Sequence, residues 1–283
     1  MPAIGVPSRL GRPIGRVTSS PGNLPPPLLP MLYTWFKRRR RRRLLNEAFP
    51  DEWMLYLDKA VRFYPQLTPE DQRRLRDDLR VFIAEKHWVG CNGLEVNDEM
   101  RVVIAAYACL LILRKSIDVY SRLDTILVYP DSYLALESAF PRSEPVPIGW
   151  RHGESWSHGS IVLSWNTTVD NIRDDEGENL VLHEFAHQLD MSDRFADGVP
   201  RLGSRQQYHT WKEIMAAEYE QLYDDARSGR PTLLDQYGLS DEAEFFAVAT
   251  ECFFLRGEEM EERHPRLYEI LTEFYELDTA KMF

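Results

Sequence analysis

The sequence predicts an α+β fold, on three observations. Long stretches carry apolar residues at helical spacing, only two short runs have strand composition, and helical stretches lie on both sides of those runs. Taken in order from Leu44, Trp53, Leu57, Val61 and Tyr64 recur at helical spacing until Pro65 ends the run. Thr68-Pro69-Glu70 sets a capping residue before a proline at the first helical position, and the helix it opens shows Leu75, Leu79, Phe82 and Ile83 on one face. Residues 98–115 are apolar between charged ends and read as a buried helix. Residues 125–129 form a buried strand closed by Pro130, and 160–165 a second one. Three prolines and two glycines make 141–153 irregular. An acidic loop over 171–179 leads into a helix at 179–189, and further helices are expected at 205–225, at 241–255 and from about Pro265. No internal repeat is present.

Charge divides the chain. Ten of the 34 basic residues fall within residues 1–43, including the unbroken run from Arg38 to Arg43, and that segment holds no acidic residue. Residues 44–283 therefore keep 24 basic against 45 acidic side chains, a formal charge of −21. Such a surface repels phosphates, which excludes direct nucleic-acid binding by this part. Residues 1–43 are expected to be a disordered, Pro-rich and basic leader. Residues 44–283 are expected to be a single domain, with a helical first part (44–150) and a second part (151–283) that carries the chemistry. In the leader the heavy charge follows the apolar stretch 28–36, the reverse of a secretory signal. Cys91, Cys109 and Cys252 are odd in number and without paired spacing, which suits a reducing compartment. The longest apolar stretch, 102–113, is too short to span a bilayer. No transmembrane segment and a cytoplasmic location are expected.

The sharpest feature is His183-Glu184-Phe185-Ala186-His187, an H-E-x-x-H motif. At ~100° per residue, positions four apart share a helical face, so both imidazoles can reach one ion. Glu184 lies about 100° round from His183, poorly placed to ligate with them but well placed to hold a water beside the ion. Apolar Leu180, Val181, Leu182, Phe185, Ala186 and Leu189 bury this helix, and each buried polar group left unpaired costs roughly 1–3 kcal/mol. A divalent ion would supply the partner, and zinc is the one expected. Catalytic zinc takes three protein ligands and leaves a position open. Three carboxylates compete for the third place. Glu244 and Glu251 stand seven residues apart on the 241–255 helix, inside an apolar run where unpaired charge is costly, and Asp190 stands seven residues after His183. The residues alone leave the three open.

The string from Leu182 to Asp190, LHEFAHQLD, resembles the active-site helix of the Mlc titration factor A family of bacterial zinc peptidases. Three further segments resemble it in the same order: the strand from Ile126 to Pro130, the run from Glu154 to Trp165, and AEFFAVATE from Ala243 to Glu251. The resemblance covers about residue 45 to the end. It implies a zincin-like fold, related to the catalytic domain of anthrax lethal factor, and an aminopeptidase-like metallopeptidase acting on peptide substrates. In that family a tyrosine precedes the third zinc ligand by seven positions, the spacing of Tyr237 and Glu244 here. The resemblance thus implies zinc on His183, His187 and Glu244, with Glu184 as general base and the Tyr237 hydroxyl stabilising the oxyanion. Glu251 and Asp190 are then supporting groups, and the strand at Ile161 to Trp165 is the edge along which an extended substrate pairs. His152 and His158, in a polar Gly-rich loop beside that strand, are candidates to line the cleft. His209 and His264 are expected at the surface, and Trp156 and Trp165 in packing. The same resemblance implies a partner, a transcriptional repressor of sugar-uptake genes. Two other classes therefore stand beside the peptidase: a repressor-titrating interaction protein, and a zinc hydrolase acting on a bond other than the peptide.

Overall fold

Three short strands, all parallel, form the sheet in the order β1 (His87–Gly90), β2 (Thr125–Tyr129), β3 (Ser160–Ser164). The computed structural model describes residues 28–131, 159–174, 177–193 and 195–282. Ile126 lies opposite both Trp88 and Ile161, and Ile126, Val128, Ile161 and Leu163 are buried, as strands covered by helices require. Helices α1 (Leu28–Asn46), α2 (Asp51–Ala60), α3 (Pro69–Glu85) and α4 (Asp98–Leu110) come before β2. After β3 follow α5 (Trp165–Asp174), α6 (Leu180–Asp190), α7 (Arg205–Arg227), α8 (Glu242–Leu255), α9 (Gly257–Arg263), α10 (Pro265–Tyr275) and α11 (Thr279–Met282). This is the α+β composition the sequence implies.

The chain divides after Arg42 into two units. In the first, the leader expected to be disordered through residue 43 is helical from Leu28 onward. Leucine, methionine and arginine are strong helix formers, a preference that charge and composition arguments leave out. Residues 1–27 and 141–153 lie outside the described residues.

In the second unit β1 is a third strand beyond the two expected, and most of the other differences sit at the ends of elements. The run ending at Tyr64 is a helix only to Ala60, because Tyr64–Gln66 forms a separate 3-10 turn whose apolar residues keep the helical spacing. The buried helix from Asp98 ends at Leu110, and Leu111, Ile112 and Leu113 stay buried in turns. The second strand stops at Ser164, not at Trp165. The Ser164 hydroxyl accepts the Thr167 N–H at 3.2 Å and its carbonyl accepts the Thr168 hydroxyl at 2.8 Å, so Ser164 starts helix α5. That helix also occupies the first part of the expected 171–179 loop.

The core is built around α4, buried from Val102 to Leu110. The H-E-x-x-H helix α6 packs chiefly on α8 and also touches α4 and β3. Phe185, on its inner face, meets Tyr120 at 5.2 Å and Phe82 at 5.7 Å between ring centres. The histidines on the other faces are thereby held against a packed interior. No helix among the described residues is long and apolar enough to cross a membrane.

Helix α3 is tied to the end of the α4 segment by a charged pair. Thr68 caps α3 by accepting the Asp71 N–H at 3.2 Å, and its hydroxyl donates to Asp71 Oδ2 at 2.9 Å. The Arg114 guanidinium grips both carboxylate oxygens, one of them at 3.0 Å. Its hydrogen bonds hold the Asp71 carboxyl below the usual range, burial opposing and Thr68 assisting. A depressed carboxyl stabilises the fold above its unfolded pKa of about 3.9, and that stability is lost as pH falls through the lower folded value. Asp71→Asn is expected to cost about 1–2 kcal/mol at pH 7, the partly exposed arginine limiting the effect. Urea unfolding should show the difference shrinking below about pH 4; an undiminished difference there would contradict this role.

Candidate metal centre

Helix α6 is fixed at its start by two contacts. The Asn179 side chain accepts the Leu182 N–H at 3.0 Å, and the Asn179 N–H itself donates to Glu251 Oε2 at 2.6 Å. The other Glu251 oxygen, Oε1, is 2.7 Å from His183 Nδ1. Glu251 thus sits at the positive end of α6 and accepts a hydrogen bond from the protonated Nδ1 of its first histidine. In the neutral ring this leaves the Nε2 lone pair of His183 facing the other side.

On that side the donors converge. Glu244 Oε2 lies 2.9 Å from His183 Nε2 and 3.4 Å from His187 Nε2, and the two imidazole nitrogens are 3.2 Å apart. Helix α8 aims Glu244 from its first turn. Asp241 caps the helix by accepting the Glu244 N–H at 2.9 Å. Asp-x-x-Glu before an apolar run is a capping signature in which the glutamate can fold back on the cap. Here its carboxylate points at the imidazoles instead. All three residues are buried. A divalent cation between the two imidazole nitrogens and the carboxylate would serve all three donors at once. A tetrahedral site with bonds of about 2.0–2.1 Å has ligand–ligand edges of about 3.3–3.4 Å, close to this triangle, and leaves a fourth vertex open. The donor set fits a divalent metal.

The electrostatics of the metal-free chain follow from the same contacts. Burial disfavours the His183 imidazolium, yet the Glu251 charge and hydrogen bonds to Glu244 and Glu251 hold it well above its ordinary range. Burial pushes His187 down, the Glu244 hydrogen bond opposing and the His183 charge adding to it. Burial would raise the Glu244 carboxyl, but hydrogen bonds and charge from both histidines hold it far below the usual range. Glu184 is the opposite case. Burial pushes its carboxyl up to about 8, with His183 opposing and the Glu244 and Glu251 charges reinforcing.

Residues 35–276 match the family described as glucose-regulated metallo-peptidase M90. The chain belongs to this family. Among its relatives, the protein slr2042 of Synechocystis sp. is 41% identical over 243 residues, covering 84% of this chain and 88% of its own length. Mlc titration factor A of Pectobacterium atrosepticum is 33% identical over 245 residues, 82% of this chain and 90% of its own. The protein of the same name from Salmonella typhi is 31% identical over 245 residues, 83% and 89% of the two chains. M90 membership makes the chain one of a metallo-peptidase family, and His183, His187 and Glu244 are a cluster that could hold the metal such a family implies.

The remaining sequence candidates separate around this M90 centre. Glu251 lies on the far nitrogen of His183, away from the donor triangle. Asp190 is fully buried and accepts the Gly198 N–H at 2.9 Å, so it pins a loop. Gly198 has φ +69°, and a Cβ there would stand 2.3 Å from the Glu242 carbonyl oxygen, so only glycine lets the loop cross the start of α8. Tyr237 lies in the 3-10 turn Gln236–Leu239, its N–H donating to Asp235 Oδ1 at 2.6 Å. Its ring centre is 6.0 Å from that of His183, and the residue is 38% exposed. Partial burial and then the Glu244, Glu184 and Asp241 charges raise the phenol above its usual range. His209 is exposed, but His264, expected at the surface, is partly buried with Nδ1 2.7 Å from Glu218 Oε2. His152, Trp156 and His158 lie outside the described residues. Trp165 is the first residue of α5 and packs partly buried against the core. Asn179, Asp241 and Gly198 support the site without having been singled out. The Asp241-x-x-Glu244 signature was legible; the other two depend on contacts far apart in the chain.

The separation of the two α8 glutamates generates a prediction. Glu244→Gln should abolish measurable zinc binding, whereas Glu251→Gln should weaken it ~10–100-fold, the usual cost of losing a carboxylate behind a ligating histidine. Competition with a chromophoric chelator measures both. Equal losses, or the reverse order, would contradict the assignment.

Proposed function

We propose that this chain is a zinc-dependent, aminopeptidase-like metallopeptidase of zincin-like type, with His183, His187 and Glu244 as the zinc ligands. The observation that carries this reading is the triangle of donor atoms with buried Glu184 on the same helix. Zinc bound there would polarise a scissile carbonyl and ease the ionisation of a water. The residues of the chain do the rest. Glu251 keeps the His183 ring in the tautomer whose Nε2 can ligate. Glu184 takes the proton released as water attacks and delivers it to the leaving amine. A carboxylate on the same helix as the two histidines can serve as base and then as acid in that transfer. The Tyr237 hydroxyl, on a turn beside His183, donates to the oxyanion. An extended peptide would pair along β3, an outer strand of the sheet among the described residues. Cys91, Cys109 and Cys252 are free thiols, in keeping with action in the cytoplasm.

A second activity is favoured by one observation, that two relatives are named as titration factors. Under this reading the chain also binds a transcriptional repressor, through a surface separate from Glu184.

Glu184→Gln decides between an enzyme and a pure binding protein. It should keep zinc and lose hydrolysis of amino-acid and peptide anilides by ~10²–10⁴-fold. Zinc-loaded E184Q with activity within a few-fold of the parent would overturn the role. A parent inactive on every anilide yet cleaving esters would favour the non-peptide hydrolase. Tyr237→Phe should lower kcat ~10²–10³-fold with KM little changed, since the oxyanion exists only in the transition state. A raised KM at constant kcat would make Tyr237 a substrate-binding residue instead.

A further inference from the structure

The arginine run has no part in the metal centre, and its setting in α1 gives it a different use. Helix α1 reads LLPMLYTWFKRRRRRRLLN and contains no acidic residue. Its character changes along the axis and not around it. The nine residues 28–36 are almost all apolar, and the seven residues 37–43 are all basic. At the junction Trp35 is 52% and Phe36 60% exposed, and the Arg39 guanidinium lies 5.3 Å over the Trp35 ring.

We propose that α1 is an anchor for an anionic lipid surface, its apolar end entering one leaflet and its arginine collar resting on the headgroup phosphates. Length supports this. Nine helical residues rise about 14 Å, close to half of a ~30 Å hydrocarbon core, so the apolar end fits one leaflet and does not cross. The order of residue types supports it too. Tryptophan and phenylalanine followed by long cationic side chains match the layering of an interface, where aromatic rings sit at the boundary and guanidinium groups reach the phosphates. The basic run complements a negatively charged leaflet. An RNA helix would be bound by the arginines equally well, but would leave two adjacent large aromatic side chains exposed to water without use. The inference is independent of the peptidase reading, because no residue of α1 belongs to the metal centre.

The test uses the full chain with vesicles of phosphatidylcholine, alone or with about one-third phosphatidylglycerol. Co-sedimentation should show binding to the anionic vesicles only, lost at 1 M salt where the Debye length is about 3 Å. W35A/F36A and R39Q/R40Q/R42Q should each weaken binding at least ~10-fold, with circular dichroism unchanged. Brominated lipids should quench the parent more than W35F, which places Trp35 in the leaflet. No binding to anionic vesicles overturns the proposal. So does full binding by W35A/F36A, which would show adsorption by charge alone. Binding of an RNA homopolymer with vesicles left unbound would replace the lipid by nucleic acid.

Discussion

Glu251 is the residue on which the metal centre depends, although it is not one of the three converging donors. Its two oxygens bind the His183 ring and the backbone N–H of Asn179, so one buried side chain from α8 holds both the first histidine of the candidate site and the α6 N-terminus. A carboxylate buried in an apolar run would ordinarily be costly. Here the cost is offset by the hydrogen bond to the His183 ring, a short backbone hydrogen bond and the positive end of a helix. Seven residues earlier, Glu244 reaches the opposite nitrogen of the same ring. His183 is held from both sides by one helix, and α6 and α8 cannot slide past each other without breaking both contacts. The packing of Phe185 on Tyr120 and Phe82 fixes the remaining face.

What could be read from the residues was whatever repeats locally. The H-E-x-x-H spacing places two imidazoles on one face of any helix that forms there, and a cap such as Thr68 marks a helix start by short-range chemistry. The division of labour between Glu244 and Glu251 could not be read this way. Both lie on one face of α8 in the same apolar run, and only the crossing of α8 over α6 decides which nitrogen each meets. The resemblance to a known family implied Glu244, and it is Glu244 that lies beside the Nε2 atoms of both histidines, while Glu251 lies beside Nδ1 of His183. Helix α5 was missed because one hydroxyl, Ser164, turns a strand into a helix where polar Asn166, Thr167 and Thr168 give no helical periodicity to read. The helical leader was missed for a different reason: composition reports charge and polarity, while helix formation there depends on the propensities of leucine and arginine.

Buried Glu184 and the donor triangle divide the chemistry between them. The triangle gathers negative charge and lone pairs that call for a cation. Glu184 is placed where like charges and burial keep its proton affinity high. A cation between His183, His187 and Glu244 would reduce the charge that Glu184 feels, so the two functions are linked through the electrostatics of a single buried cluster.

The central claim is that one zinc ion sits among His183 Nε2, His187 Nε2 and a Glu244 oxygen. Anomalous scattering at the zinc edge from crystals of the zinc-loaded chain tests it directly. The account predicts a single strong peak about 2.0–2.2 Å from each of those three atoms, with Glu251 still on His183 Nδ1. A peak coordinated by Glu251 or Asp190, or no peak between the two histidines, would contradict it.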